Sequence, residues 1–419
     1  MGILNLLTTS QEFIPFSVSG IDSGSYNFLV KAIKWLFETF SNVYGGVILG
    51  VLIFTLVLKT IVLPLDIYSR VKTKKQSLLM EQMRPQMEKL QKQYANDKNM
   101  YSQKVMELQK QNGYNPLGAC LPMVISLVIF MVVFSAFSTY SNYAVLNNYN
   151  DMVVKYNESV NEYVIESETD TKDGFLLAEG GNYRVVYEKF EEYYQKVNGS
   201  APFTAAMKEA DKNEIVAAFV KINARRASAA YYRNETTSTR FLWIGNVWYP
   251  DSMLNKEVPD FSKFSSSVAR VSGSMGSIDE AQYNEVTYYL RNADPANPDI
   301  KLEGNTFNGY FVMVVLSIGL MFLQQFVMMR SQKAASELSS VDGSAAKTNK
   351  WMTIMMPLIF GVFSFFYSAA FSTYMIINTT YSLLSTLIIN KIVAVRFAKT
   401  GIVQKNKGNK RPINRKRLK

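Results

Sequence analysis

A single charged residue stands inside the first long apolar run of this chain. Residues 47–65 read VILGVLIFTLVLKTIVLPL, and Lys59 is the only ionisable group among them. At 1.5 Å per residue a helix over this run is about 28 Å long, close to the hydrocarbon thickness of a bilayer. An ammonium at mid-membrane costs about 2.5–3.5 kcal/mol on insertion scales, so Lys59 needs water, a partner or the interface. Two readings are open. Lys59 lies about 9 Å of helix before Leu65, within reach of headgroups for a snorkelling side chain. Alternatively it faces a hydrated cleft between helices, where Thr55, one turn earlier on the same face, adds a hydroxyl. Other chemistry is narrowly bounded. The 419 residues contain no histidine and one cysteine, Cys120. A histidine-ligated metal, a Ser-His-Asp or Cys-His catalytic group and an intramolecular disulfide are all excluded, and no cofactor is expected.

Four further apolar stretches can carry polar groups opposite Lys59. They cover residues 117–140, 310–329, 351–368 and 370–392, the last two drawn from forty uncharged residues between Lys350 and Lys391. At about 20 residues per crossing this gives five spans, with TM1 at 47–65. Ser126, Ser317, Gln324, Gln325, Tyr374, Asn378 and Thr379 lie on them, and such groups are costly to leave facing lipid. The fold class is therefore an all-α polytopic membrane protein.

Charge orients the spans. Residues 66–114 carry ten Lys or Arg against five acids, residues 330–350 four against two, and the tail after Asn390 eleven against none. Residues 141–306 instead carry seventeen against twenty-four. The positive-inside rule puts the basic segments in the cytoplasm and the N-terminus and acidic segment outside, in a cell (plasma) membrane. The formal net charge of +11 thus reports topology first, although a basic tail can also touch anionic lipid or RNA.

The segments between spans have their own patterns. Residues 1–46 form an outer N-terminus with no apparent cleavable signal. Within it Phe28, Leu29, Ile33, Leu36, Phe37 and Phe40 have the spacing of an amphipathic helix, either interfacial or packed on a soluble domain. Residues 66–116 read as a cytoplasmic helical hairpin, with helices over about 72–94 and 100–112 and a turn at 95–97. Leu79, Met83, Met87, Leu90 and Tyr94 form an apolar stripe on it. Met83 and Met87 can offer an adaptable surface to apolar clients or hold the two helices together. Residues 141–309 read as a mainly helical outer domain with helical patterning over 185–197, 203–232 and 278–291 and a capping box from Ser277 to Glu280. Residues 330–350 form a cytoplasmic loop and 393–419 a basic cytoplasmic tail.

The order of landmarks resembles one known family. LKTIVLPL ends the first span, a charged hairpin follows, NPLGACLP opens the second, FLWI precedes the third, MFLQQ ends it, and MPLIFGVFSFF opens the fourth. This order is similar to the YidC/Oxa/Alb family of membrane protein insertases over about 47–140, 241–244 and 310–391. The resemblance implies a non-enzymatic insertase whose five helices surround a hydrophilic groove open to cytoplasm and lipid. Lys59 occupies the position where the family usually carries arginine, and would attract acidic residues of an incoming client. Thr55, Ser126, Ser317, Gln324, Gln325, Tyr374, Asn378 and Thr379 would line the groove. The partners implied are nascent integral membrane proteins, a Sec translocon, a ribosome through the basic tail, and anionic lipids, with no small-molecule substrate. Two other classes fit the residues alone. A small transporter would also keep an intramembrane charge, but no repeat or acidic coupling residue is seen in the spans. A membrane-anchored receptor or structural protein would act through the outer domain.

Overall fold

The computed structural model describes residues 28–112, 117–166, 174–176, 183–186, 190, 209–269, 271, 278–292, 307–337, 351, 354–355, 357–359, 361–362 and 364–399. The chain divides into two compact units, Met1–Leu49 with Ala136–Tyr310 and Gly50–Ser135 with Phe311–Lys419. Among the described residues, four helices are long and apolar enough to cross a membrane. They are α2 (Gly46–Gln93), α4 (Leu117–Asn161), α9 (Val312–Glu337) and α10 (Ala369–Lys399). For the remaining expected span, an apolar helix covers Pro357–Phe366, and part of it lies outside the described residues.

The first span does not end where its apolar run ends. Helix α2 is 48 residues long and continues to Gln93, with Pro64 and Pro85 inside it. Residues 66–93 contain no glycine and no proline but Pro85, so little in their backbone preferences stops a helix. Asp66 and Arg70 form an i,i+4 ion pair at 3.0 Å across the junction, which adds local support. The hairpin therefore has the span's own extension as its first arm. The turn falls at the expected place. Asp97 caps α3 (Lys98–Gln111), its carboxylate accepting from the amides of Asn99 and Met100 at 3.1 and 2.9 Å. Such a cap satisfies amides with no helical partner and contributes about 1 kcal/mol. Met80, Met83 and Met87 from α2 and Tyr101 and Val105 from α3 form the hairpin core, flanked by Leu90, Tyr94 and Leu108.

Inside the same unit α9 packs along α10. Ser317, Ser364 and Ser372 form a buried hydroxyl chain, with oxygens 3.4 and 2.8 Å apart, joining α9, the Pro357–Phe366 helix and α10. Small residues of this kind let helices approach closely where lipid supplies no hydrophobic drive. Gly361 shows the same closeness, since a Cβ there would lie 2.7 Å from the Ile318 side chain. Phe130 and Phe134 on α4 pack against Phe371, and Phe134 meets Tyr367 edge-on at 4.4 Å between ring centroids.

The other unit is mainly helical and carries a small sheet that its sequence pattern does not announce. Strands β1 (Val164–Glu166), β2 (Gly174–Leu176) and β3 (Tyr183–Val186) pair antiparallel in the order β1-β3-β2, with Val185 opposite both Val164 and Phe175. The helical patterning expected from 185 onward is corrected at its start. Val185 and Val186 are β-branched, which favours a pleated strand, and most of 187–197 lies outside the described residues. Helix α5 (Glu209–Glu235) answers to the expected 203–232, and a 3₁₀ turn follows at Thr236–Thr239. Beyond α6 (Phe261–Val268), residues 278–291 form α7 (Glu280–Val286) and α8 (Tyr288–Arg291). The α7 cap is Asp279, which accepts from the Gln282 amide at 2.6 Å; this replaces the expected capping box at Ser277, which lies outside the described residues.

A buried ion pair ties this unit together. Arg225 on α5 donates to both oxygens of Glu285 on α7 at 2.6 and 2.7 Å and stacks over Tyr288 at 3.8 Å. Burial lowers the Arg225 pKa, but the hydrogen bonds and charge of Glu285 outweigh it and hold the guanidinium above its ordinary value. Helix α1 (Phe28–Thr39) buries Val30, Ile33 and Phe37. Phe37 packs against Phe137, Tyr140 and Trp248, so α1 is docked by its apolar face on this unit, while Phe28 and Trp35 remain exposed.

Candidate functional site

Lys59 is part-buried and turned toward α10. Its ammonium donates to Ser382 Oγ at 3.3 Å and lies 5.6 Å from the centre of the Tyr381 ring. Both contacts lower the cost of holding a charge among apolar residues, the first by a hydrogen bond and the second by the ring's negative face. Thr55, fully buried one turn earlier, does not share in this. Its hydroxyl donates to Val51 O at 2.6 Å on its own helix.

The polar line runs on past Lys59. Asp66 and Arg70 follow it at seven and eleven residues, spacings that keep all three on one helix face. Arg70 pairs with Asp66 and also donates to Thr386 of α10. Thr386 in turn donates to the Ser382 carbonyl at 2.7 Å. Two helices are thus bridged by long cationic side chains reaching to short hydroxyls. Asp66 Oδ2 is buried with no hydrogen-bond partner among the described residues. A carboxylate oxygen left without a partner costs about 1–3 kcal/mol or more, so the α2–α10 contact around Asp66 favours polar company.

Asp66, Arg70, Ser382 and Thr386 were not among the expected site residues. The two charges fall between the expected first span and the expected first hairpin helix, and only a continuous helix makes their spacing from Lys59 meaningful. The hydroxyls had a legible signal: Thr379, Ser382 and Thr386 recur at three and four residues and are all buried.

The other expected groove residues divide. Ser317 is fully buried in the serine chain and also donates to Val314 O at 2.8 Å, so it joins helices. Tyr374 is buried beside Phe371, with ring centroids 5.8 Å apart. Thr379 is buried, and Asn378, Gln324 and Gln325 are half-buried. Ser126 lies on α4, its side chain outside the described residues. Met83 and Met87 are 3% and 0% exposed in the hairpin core, where packing against Tyr101 and Val105 occupies the surface that client contact would need. Met100 and Met106 are the exposed methionines of the hairpin.

Comparison with known proteins brackets the same elements. Residues 39–166 and 231–396 match the family described as 60Kd inner membrane protein. The match begins before the first span, runs beyond α4, and resumes within α5. It therefore includes 231–309, which the landmark motifs alone had left mostly outside, and reduces the unmatched insertion to 167–230. A membrane protein insertase YidC from Fusobacterium nucleatum subsp. nucleatum is 36% identical over 109 residues, 26% of this chain and 51% of that protein. One from Jannaschia sp. (strain CCS1) is 33% identical over 125 residues, 30% of this chain and 19% of that protein. One from Leptospira interrogans is 34% identical over 119 residues, 28% of this chain and 18% of that protein. The aligned region thus spans from under a fifth to about half the length of these relatives. No solved structure matches. With its apolar helices and with the family pattern extending over most of its length, the chain belongs to the 60Kd inner membrane protein family, the YidC/Oxa/Alb family of multi-pass membrane proteins.

Proposed function

We propose that the protein is a membrane insertase that receives integral membrane proteins at the α2–α10 cleft without hydrolysing a nucleotide. The observation that carries this reading is the Lys59 ammonium held against Ser382 and Tyr381. A lysine that only snorkelled would turn away from its helical neighbours toward headgroups. Here it bridges two helices in a polar line, able to attract an acidic client segment and then release it to water. The name insertase borne by the relatives agrees with this use.

The topology that goes with it has five crossings, with the stretch around Pro357–Phe366 as the fourth. The N-terminus and residues 141–309 face outside; the 66–116 hairpin, the 330–350 loop and the tail face the cytoplasm. Nascent integral membrane proteins are the clients. The basic tail is suited to anionic headgroups and ribosomal RNA, and a Sec translocon is a compatible partner. Gln324 and Asn378 flank the client's route, while Met100 and Met106 take the hairpin contact.

Site-specific photocrosslinking tests the reading. A photoreactive residue at Asn378 or Gln324 is expected to trap ribosome-bound nascent membrane proteins, and one at Val315, exposed on α9, is expected to trap far less. Equal capture at all three positions would contradict a defined client route.

A further inference from the structure

The FLWI segment forms a tight turn whose most exposed residue is held in an unfavourable conformation. Phe241 N donates to Ile244 O at 3.0 Å and Ile244 N to Phe241 O at 2.8 Å. Leu242, at the tip, has φ +52 and is 62% exposed. Glycine or asparagine would take this left-handed conformation with less strain, and a polar tip would suit water better. A backbone outlier that displays a large apolar side chain points to a role for that side chain.

The turn is fastened to the place where the chain enters the first span. Gly45 N donates to Thr237 O at 3.4 Å, and Gly45 itself has φ +66 with room for no more than a tight Cβ, 3.1 Å from Phe241 Cδ2. Val43 and Tyr44, 49% and 60% exposed, immediately precede α2. The third span is approached in the same way. Phe307 and Tyr310, 57% and 54% exposed, precede α9, and Asn308 N donates to Asn255 O at 2.7 Å beside Leu254, which is 78% exposed. Apolar side chains therefore collect in the few residues before each of two membrane helices.

We propose that the 241–244 turn is a lipid anchor, with Leu242, Val43 and Tyr44 seated at the acyl–headgroup boundary of the leaflet where α2 begins. Lipid is the fitting occupant because the patch is continuous in sequence with a membrane span. Tyrosine suits that boundary, having an apolar ring and a polar tip. The anchor fixes the depth of the helix that carries Lys59.

The test uses the full chain with Cys120→Ser, singly labelled with an environment-sensitive fluorophore in nanodiscs holding one copy. Labels at Leu242→Cys and Tyr44→Cys are expected to be quenched at least twofold by lipids brominated high on their acyl chains. A label at Glu158→Cys, eighteen residues of helix beyond the end of the expected second span, is expected to be unquenched. With the label at Tyr44→Cys, Leu242→Asp should abolish most of the quenching and Leu242→Met should preserve it. Aqueous iodide access at 242 equal to that at 158, with no bromolipid quenching in folded protein, would overturn the anchor and leave the turn to a protein partner.

Discussion

At the scale of the residue, the difference between the charges on α2 is one of partners. Lys59 leans on a hydroxyl and a ring, both neutral groups; under the proposed function a client's carboxylate would take their place. Arg70 is committed to Asp66 and Thr386. Removing one member of a buried pair leaves the other charge uncompensated, at a cost of about 3–5 kcal/mol, whereas removing both leaves much less. Arg70→Gln alone is accordingly expected to lower the thermal midpoint in detergent, and Asp66→Asn combined with Arg70→Gln to recover most of the loss. Additive losses would show that the pair is not coupled. The same reasoning applies to Arg225 and Glu285 in the other unit. Arg225→Ala leaves Glu285 with Lys221 at 3.7 Å and Tyr156 at 3.2 Å as its polar neighbours, and should destabilise that unit by about 3 kcal/mol in denaturant titration.

Among elements, the hairpin separates packing from recognition. Met87 is fully buried against α3, so Met87→Ala should cost about 2–5 kcal/mol locally, read as faster amide exchange across α2 beyond Lys72 and across α3. Met106→Ser, at an exposed position, should leave exchange unchanged and reduce crosslinking to clients. Reversal of these two effects would return the client contact to the buried stripe. Element ends explain much of what the sequence did and did not disclose. The spans are legible because apolar residues come in long runs, the first broken only by Lys59, and the hairpin turn because Ala95, Asn96 and Asp97 break the helical stripe. The continuation of α2 through Asp66 and Arg70 was hidden by the charge itself, which marks solvent and not the end of a helix. Strands of three or four residues, such as Tyr183–Val186, are too short for their alternation to stand out. Tyr374 and Ser317 lie within the expected spans, but composition does not tell a groove wall from a helix contact.

For the whole molecule, the internal segment outside the family match is 167–230, which contains β2, β3 and most of α5. It also supplies Arg225 and Ser228, which hold α7 through Glu285 and the Val286 carbonyl. Replacing 167–208 by a short linker spares those contacts. That variant is expected to insert clients at close to the parent rate, whereas removal of 167–230 should lower the yield of folded protein. Complete loss of insertion by a folded, membrane-integrated 167–208 variant would move the function toward the outer segment. Under the proposed function the charge at Lys59 draws in the client, and its hydrogen bond to Ser382 holds the ammonium in place until then. Insertion of a single-span client with an acidic translocated tail, followed in proteoliposomes, tests it most directly. Lys59→Arg should sustain insertion, while Lys59→Ala and Lys59→Glu should slow it by about tenfold or more, corresponding to at least ~1.4 kcal/mol of lost attraction in the rate-limiting step. Equal rates for the three folded variants would show that the charge at Lys59 plays no part in insertion.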